Sequence, residues 1–157
     1  NHYLKLTDSD RLAEMVRPRL EARGIKVTDN PALTAIAGLY KERVATLNEL
    51  ADAAEVFYID LYPDAALLDA QLSAEAIPAL RDLAHQFASI AWETAAISAA
   101  IKEVIAKHGL KMPKLAMPLR VMLTGQTQTP SVDALVALFP REMVLARINK
   151  NLEKKTA

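Results

Sequence analysis

The sequence predicts an all-α fold, an α-helical cage or bundle in two subdomains. Ala and Leu dominate a chain of 157 residues that is 52% hydrophobic and has only 4 Gly, a composition that favours helix. Apolar residues recur every three or four positions through most of the chain, whereas β-branched runs are short. The one aromatic-rich run, Phe57-Tyr58-Ile59, has no partner run of similar character, so it predicts a helix end or a packed loop rather than a strand.

Two short helices are predicted first. Thr7 followed by acidic residues begins one of them, because a hydroxyl caps the helix and carboxylates favour its positive end. Arg17-Pro18 is expected to end or kink this helix, since proline removes a donor and disfavours helical geometry before it. The second helix would run from Pro18 to about Arg23, with Gly24 as its left-handed cap.

The clearest periodicity opens at Asp29-Asn30-Pro31 and predicts one long helix to about Ala54. Its apolar positions are Leu33, Ile36, Ala37, Tyr40, Val44, Leu47, Leu50, Ala51 and Ala54. A short helix restarts at Pro63-Asp64, and a weak joint lies between Tyr62 and Leu72. We therefore expect two subdomains, residues 1–70 and residues 71–157.

Five helices are predicted for the second subdomain. They run from Ser73 to Phe87, from near Trp92 to His108, from Pro113 to Leu123 with an interruption or entry at Pro118, from Thr129 or Ser131 to Phe139, and from Pro140 or Arg141 onward. Trp92 is the only Trp and is expected in the core, because burying its large ring dominates its energetics.

Composition excludes several classes of function. The chain has no Cys, which rules out disulfides and thiolate metal sites and fits a cytoplasmic protein. Its three His are far apart in sequence, which argues against a His-based metal site. There is no Gly-x-Ser-x-Gly, no His-Glu-x-x-His and no phosphate-binding glycine loop, so we expect no catalytic residues here. No apolar run is long enough for a membrane span.

The chain lacks a starting Met, and we expect it to be a fragment.

The net charge of zero hides an asymmetry along the chain. Up to Ile101 there are 9 Lys/Arg and 15 Asp/Glu, whereas from Lys102 onward there are 10 Lys/Arg and 4 Asp/Glu. The second part would therefore attract a polyanion such as RNA. A solvated basic face explains the same pattern about as well.

Arg120 and the segment Thr129-Pro130 are the candidate binding residues. Arg120 lies in an apolar run, where an arginine usually extends its stem over the core and keeps its head in water. Alternatively, its planar guanidinium could bond or stack on an unpaired base. Thr129-Pro130 has the form of an ordinary helix start, which would leave the amides of Ser131 and Val132 free for an acceptor on the same base.

The order and spacing of these motifs resemble the C-terminal part of bacterial glutamyl-tRNA synthetases across essentially the whole chain. The matching segments are Lys114-Leu115-Ala116-Met117-Pro118-Leu119-Arg120, Leu123-Thr124-Gly125, Thr129-Pro130 and Ala146-Arg147-Ile148. The family often has Gly where this chain has Phe139-Pro140, so the resemblance does not fix the local turn there.

The resemblance implies an anticodon-binding domain of a class I enzyme that attaches glutamate to tRNA(Glu) using ATP. The catalytic domain, with ATP and Mg, would lie upstream and outside this chain, and the fragment alone would be a non-catalytic monomer. The resemblance further implies that Arg120, Thr129, Pro130 and Val132 contact anticodon bases. Arg43 would sense the last anticodon base and so discriminate tRNA for glutamate from tRNA for glutamine. The alternative is a helical protein-interaction module with a basic face.

Overall fold

The computed structural model describes the backbone of residues 2–156 and the side chains of residues 4–154. Within these residues it has ten α-helices and no strand, which confirms the all-α prediction. The helices are α1 His2–Leu6, α2 Ser9–Ala22, α3 Leu33–Tyr40, α4 Leu47–Glu55, α5 Ala65–Gln71, α6 Ala76–Phe87, α7 Thr94–His108, α8 Met112–Thr124, α9 Val132–Leu138 and α10 Arg141–Thr156.

The chain forms two compact units, Asn1–Asp60 and Leu61–Ala157. The boundary therefore lies at Asp60–Leu61, and not at residues 70–71 as the sequence suggested. The reason is the packing of α5, which lies against α8 and buries Leu68 in the second unit. The function assigned to each subdomain stays a prediction.

In the first unit, α2 packs against both α3 and α4. The largest fully buried side chains of the first unit are Leu12, Leu20, Ile36, Leu50 and Phe57. The predicted break at Pro18 is wrong, because α2 continues through it to Ala22. Pro18 is exposed, so its ring points away from the core and water can satisfy the carbonyl that it leaves unpaired. Gly24 has a φ of 81° just beyond the helix end, as expected for a left-handed residue.

The long helix predicted between Pro31 and Ala54 is also wrong, because the chain leaves helical geometry after Tyr40 and begins α4 at Leu47. Thr46 caps the new helix: its side-chain oxygen accepts a hydrogen bond from the amide of Glu49 at 3.1 Å. The Glu49 carboxylate accepts in return from the amide of Ala45 at 2.7 Å. The apolar spacing across the turn is compatible with one helix, but the reciprocal capping starts a new one.

In the second unit, α6 packs against α7, α8 and α10, while α9 packs against α7 and α8. The largest fully buried side chains of the unit include Phe87, Phe139, Leu80, Ile97, Ile101 and Leu115. Pro118 does not interrupt α8, which runs unbroken from Met112 to Thr124. Pro118 is buried in the core, and the carbonyl it leaves unpaired belongs to exposed Lys114, where water can bond it.

Trp92 is only half-buried and precedes α7 instead of starting it. Its ring packs edge-on against Phe87 at 5.5 Å, and its Nε1 donates to the carbonyl of Phe139 at 2.7 Å. The guanidinium of Arg141 lies 5.2 Å from the ring centre. Trp92 thus joins the ends of three helices at the rim of the core.

Among the described residues, no helix is long and apolar enough to cross a membrane.

Candidate functional site

A pocket of about 400 Å³ opens in the second unit where α7, α8 and α9 meet. Pockets that bind small molecules commonly have volumes of about 300–1,000 Å³. It is lined by Ser98, Ile101, Lys102, Met112, Pro113, Ala116, Met117, Arg120, Ser131, Val132 and Asp133. The structure thus brings together two of the predicted residues, Arg120 and Val132, from helices separated by a loop.

Arg120 is half-buried in the wall of this pocket. One terminal nitrogen lies 3.4 Å from the sulfur of Met117, a weak acceptor. Its Nε is buried, and no hydrogen-bond partner lies near it among the described residues. A buried donor without an acceptor costs free energy unless a ligand or water supplies one. Arg120 therefore differs from an arginine whose head simply lies in solvent, because its side chain lines a pocket and its buried Nε has no partner among the described residues.

Thr129 and Pro130 are buried residues of the loop that leads into α9, and neither is among the pocket-lining residues. The Thr129 hydroxyl donates to the carbonyl of Pro130 at 2.8 Å instead of capping the helix. Of the two predicted caps, Ser131 occupies the N-cap position of α9, and its side chain makes no capping hydrogen bond. Thr129 and Pro130 thus shape the loop, while Ser131 and Val132 reach the pocket.

Buried hydrogen bonds fix the start of this loop. Gly125 ends α8 with a φ of 73°. The Thr124 hydroxyl donates to the carbonyl of Arg120 at 2.8 Å and accepts from the amide of Gln126 at 3.1 Å. Arg147, on α10, donates to the carbonyl of Leu123 at 2.6 Å. The bond from Arg147 satisfies a carbonyl that the end of α8 leaves open, and together the bonds give the pocket wall a defined position.

Two charged lining residues were not identified from the sequence, Lys102 on α7 and Asp133 on α9. Lys102 is exposed at the pocket and adds a second cation beside Arg120. Asp133 is half-buried and adds a carboxylate, an acceptor only. No short motif marks either residue, because each depends on how its helix packs against α8. The pocket therefore presents donors, acceptors and apolar walls, a set that suits the edge and faces of a planar heterocycle.

Arg43 belongs to the first unit and is exposed in the turn after α3. Its amide donates to the carbonyl of Tyr40 at 2.8 Å. Burial raises the pKa of the Tyr40 hydroxyl to about 12, and the charge of Arg43 opposes this rise. Arg43 thus presents its guanidinium on the surface of that unit.

An ion-pair cluster fastens α7 to α6 away from the pocket. One Asp82 oxygen lies 3.1 Å from His108 Nε2 and 3.3 Å from Lys107 Nζ. The hydrogen bond from His108 is the largest cause that lowers the pKa of Asp82. The cluster supports α7, which carries Lys102.

Between residues 4 and 154, no group of three or more potential metal ligands is assembled.

Residues 11–152 match the family described as the anticodon binding domain. Because the match covers most of the chain, the protein belongs to this family. The pocket lies within the matched region.

The chain is also similar to curated proteins, which are glutamate–tRNA ligases. The chain is 54% identical over 152 residues to the glutamate–tRNA ligase of Janthinobacterium sp. (strain Marseille), covering 97% of this chain and 33% of that protein. It is 54% identical over 148 residues to the glutamate–tRNA ligase of Herminiimonas arsenicoxydans, covering 94% of this chain and 32% of that protein. The chain therefore spans about a third of the length of these relatives.

A solved structure agrees with the observed fold. The crystal structure of a glutamate–tRNA ligase from Elizabethkingia meningosepticum has a TM-score of 0.84 and 27% identity, covering 97% of this chain and 30% of that one. The all-helical fold is thus the one found in part of a glutamate–tRNA ligase.

Proposed function

We propose that this chain is the anticodon-recognition part of a glutamyl-tRNA synthetase and that its pocket holds one base of the anticodon of tRNA(Glu). The observation that carries this proposal is the half-buried Arg120 guanidinium, which lines a base-sized pocket and has an unused buried donor. The family match and the 54% identity to glutamate–tRNA ligases support it.

In this proposal each pocket residue makes a different contact with the base. The guanidinium of Arg120 donates to acceptors on the edge of the base. Val132 and Met117 pack against a face of the ring, and Asp133 accepts from an exocyclic amine. Thr129 and Pro130 act from beneath, because their buried conformation places Ser131 and Val132 in the wall. RNA recognition commonly uses such unstacked bases held between planar and apolar groups.

We place catalysis outside this chain. Ligation of glutamate, with ATP and Mg, belongs to the catalytic domain of the parent enzyme, which acts in the cytoplasm. The present chain supplies affinity and selectivity for the tRNA and contacts that catalytic domain. We propose that it acts as a monomer.

The test is titration of the chain with anticodon stem-loops of tRNA(Glu) and tRNA(Gln) at one fixed salt concentration. Arg120→Ala should weaken binding of the glutamate stem-loop by about 1–3 kcal/mol, the scale of one base contact. Arg120→Lys keeps the charge but loses the planar fork, so it should also lose most of this contact. Arg81→Ala, an exposed arginine on α6 in the same unit, is the matched control and should bind like the parent chain.

Arg43 has a separate prediction within this proposal. If it senses the last anticodon base, Arg43→Ala should reduce the preference for the glutamate over the glutamine stem-loop. Equal affinity of the parent chain for both stem-loops would remove this role from Arg43.

A helical protein-interaction module with a basic face is the second candidate, favoured by the excess of 10 Lys/Arg over 4 Asp/Glu after Ile101. It predicts RNA binding that depends on salt but neither on anticodon sequence nor on Arg120. Unchanged affinity in Arg120→Ala would favour this candidate and reject the pocket as a base site.

A further inference from the structure

Tyr62 is an exposed aromatic residue beside two cations. It is 68% exposed and is one of three exposed large hydrophobic residues in the described part of the chain. The ammonium of Lys150 lies 4.1 Å from its ring centre and that of Lys154 lies 5.4 Å away. These lysines are one turn apart on α10, so they project from the same side of the helix. We refer to Tyr62, Lys150 and Lys154 as the Tyr62–lysine patch.

The patch is anchored to the fold. Lys150 Nζ also donates to the carbonyl of Leu61 at 2.9 Å, which ties the segment before α5 to α10. An exposed apolar side chain alone needs no explanation. Here, however, an open aromatic surface is fixed beside two positive charges, the combination by which proteins bind single-stranded nucleic acid without sequence preference.

The patch is also near the loop of the pocket. The side chain of Leu61 lies against Gly125, where an added Cβ would be 3.8 Å from Leu61 Cδ1. Gly125 ends α8 and opens the loop to Ser131. Arg120 lies about 8 Å of helical rise before Gly125. The chain segment that carries Tyr62 therefore comes close to the helix that carries Arg120 at Gly125.

We propose that the Tyr62–lysine patch is a second RNA-contact surface, which binds a nucleotide flanking the base in the pocket. The Tyr62 ring stacks on that base, while Lys150 and Lys154 neutralise adjacent phosphates. This contact is independent of base identity, because every base has a face that stacks and every nucleotide has a phosphate. The inference rests on the proposed function but assigns to it residues outside the pocket.

The experiment titrates the 157-residue chain with the glutamate anticodon stem-loop and with a stem-loop of altered loop sequence, at several salt concentrations. Tyr62→Ala should weaken binding of both RNAs by about tenfold, the scale of one stacking contact. Tyr62→Phe keeps the ring and should bind like the parent chain. Lys154→Gln should weaken binding and reduce the slope of log affinity against log salt by about one.

Lys26→Gln makes the same charge change at an exposed lysine in the first unit and serves as the control. Circular dichroism checks that each variant is folded, and Lys154→Gln decides the question if Tyr62→Ala does not fold. If Arg120→Ala weakens binding while Tyr62→Ala and Lys154→Gln match the parent chain, the patch does not contact RNA and the proposed function survives. A patch that contacts protein instead would give this same result. If the parent chain binds neither stem-loop, the proposed function fails first and the patch inference falls with it.

Discussion

Arg120 and Arg147 both belong to the sequence motifs, but the structure uses them differently. Arg147 is only 5% exposed; it donates to the carbonyl of Leu123 and lies 5.1 Å from the centre of the Phe139 ring. Its donors are therefore used inside the fold, whereas Arg120 keeps a buried Nε without a partner among the described residues. The sequence identifies both arginines, but which one faces the pocket depends on the packing of α8 against α10.

Arg147→Met should destabilise the chain because it keeps the apolar stem but leaves the carbonyl of Leu123 buried without a donor. The expected loss in the free energy of unfolding is about 1–3 kcal/mol, the cost of one unpaired buried group. Urea unfolding followed by circular dichroism measures it. Arg81→Met is the control, since an exposed substitution should change the free energy by no more than about 0.5 kcal/mol. Equal urea midpoints for the two variants would contradict the structural role of Arg147.

At the scale of elements, the sequence predicts which residues are buried better than where helices end. The apolar positions predicted between Leu33 and Ala54 include many that are buried, yet they belong to two helices. Periodicity indicates which side chains share a core but not whether the backbone turns between them. At Pro18 and Pro118 the sequence predicted a break, but the helix continues. Each proline lies inside a continuous helix whose packing outweighs the local cost of proline.

The turn between α3 and α4 gives a test at this scale. Thr46→Ala removes the oxygen that accepts from the amide of Glu49 and should lower the free energy of unfolding by about 0.5–2 kcal/mol. Thr46→Ser keeps the hydroxyl and should stay close to the parent chain. If Thr46→Ala unfolded at the same urea concentration as Thr46→Ser, the cap would not be what separates the two helices.

At the scale of the molecule, the sequence predicted the class of fold, and two of its candidate binding residues line the pocket, although their role stays a prediction. Arg120 and Val132 were identified because they lie in motifs of one continuous stretch. Lys102 and Asp133 were missed, because their place in the site comes from α7 and α9 packing on α8. Of the two predicted caps of α9, Ser131 occupies the N-cap position without a capping hydrogen bond, whereas the Thr129 hydroxyl donates to the adjacent carbonyl of Pro130. Tertiary packing thus decides which side chains of a basic segment form a site.

The response of the whole chain to alkaline pH follows from two tyrosines of the first unit. Burial raises the pKa of both Tyr40 and Tyr58 to about 12, from an ordinary value of 10.0. The folded state therefore holds these protons more tightly than the unfolded state does. The resulting stabilisation is fully present below pH 10 and is lost as the pH rises toward about 12.

Tyr40 allows the cleaner test, because it is 7% exposed, whereas the Tyr58 hydroxyl also donates to the carbonyl of Pro31 at 2.6 Å. In the parent chain, its ionisation should contribute a loss of roughly 2–3 kcal/mol in the free energy of unfolding across this range, at 1.36 kcal/mol per pKa unit. Tyr40→Phe should reduce the fall in free energy, measured by urea unfolding at pH 9 and at several values up to pH 12. Tyr62→Phe replaces a tyrosine that is 68% exposed and should leave the fall unchanged. If Tyr40→Phe and Tyr62→Phe lost stability in parallel with the parent chain, the proton on buried Tyr40 would not be what alkaline pH removes.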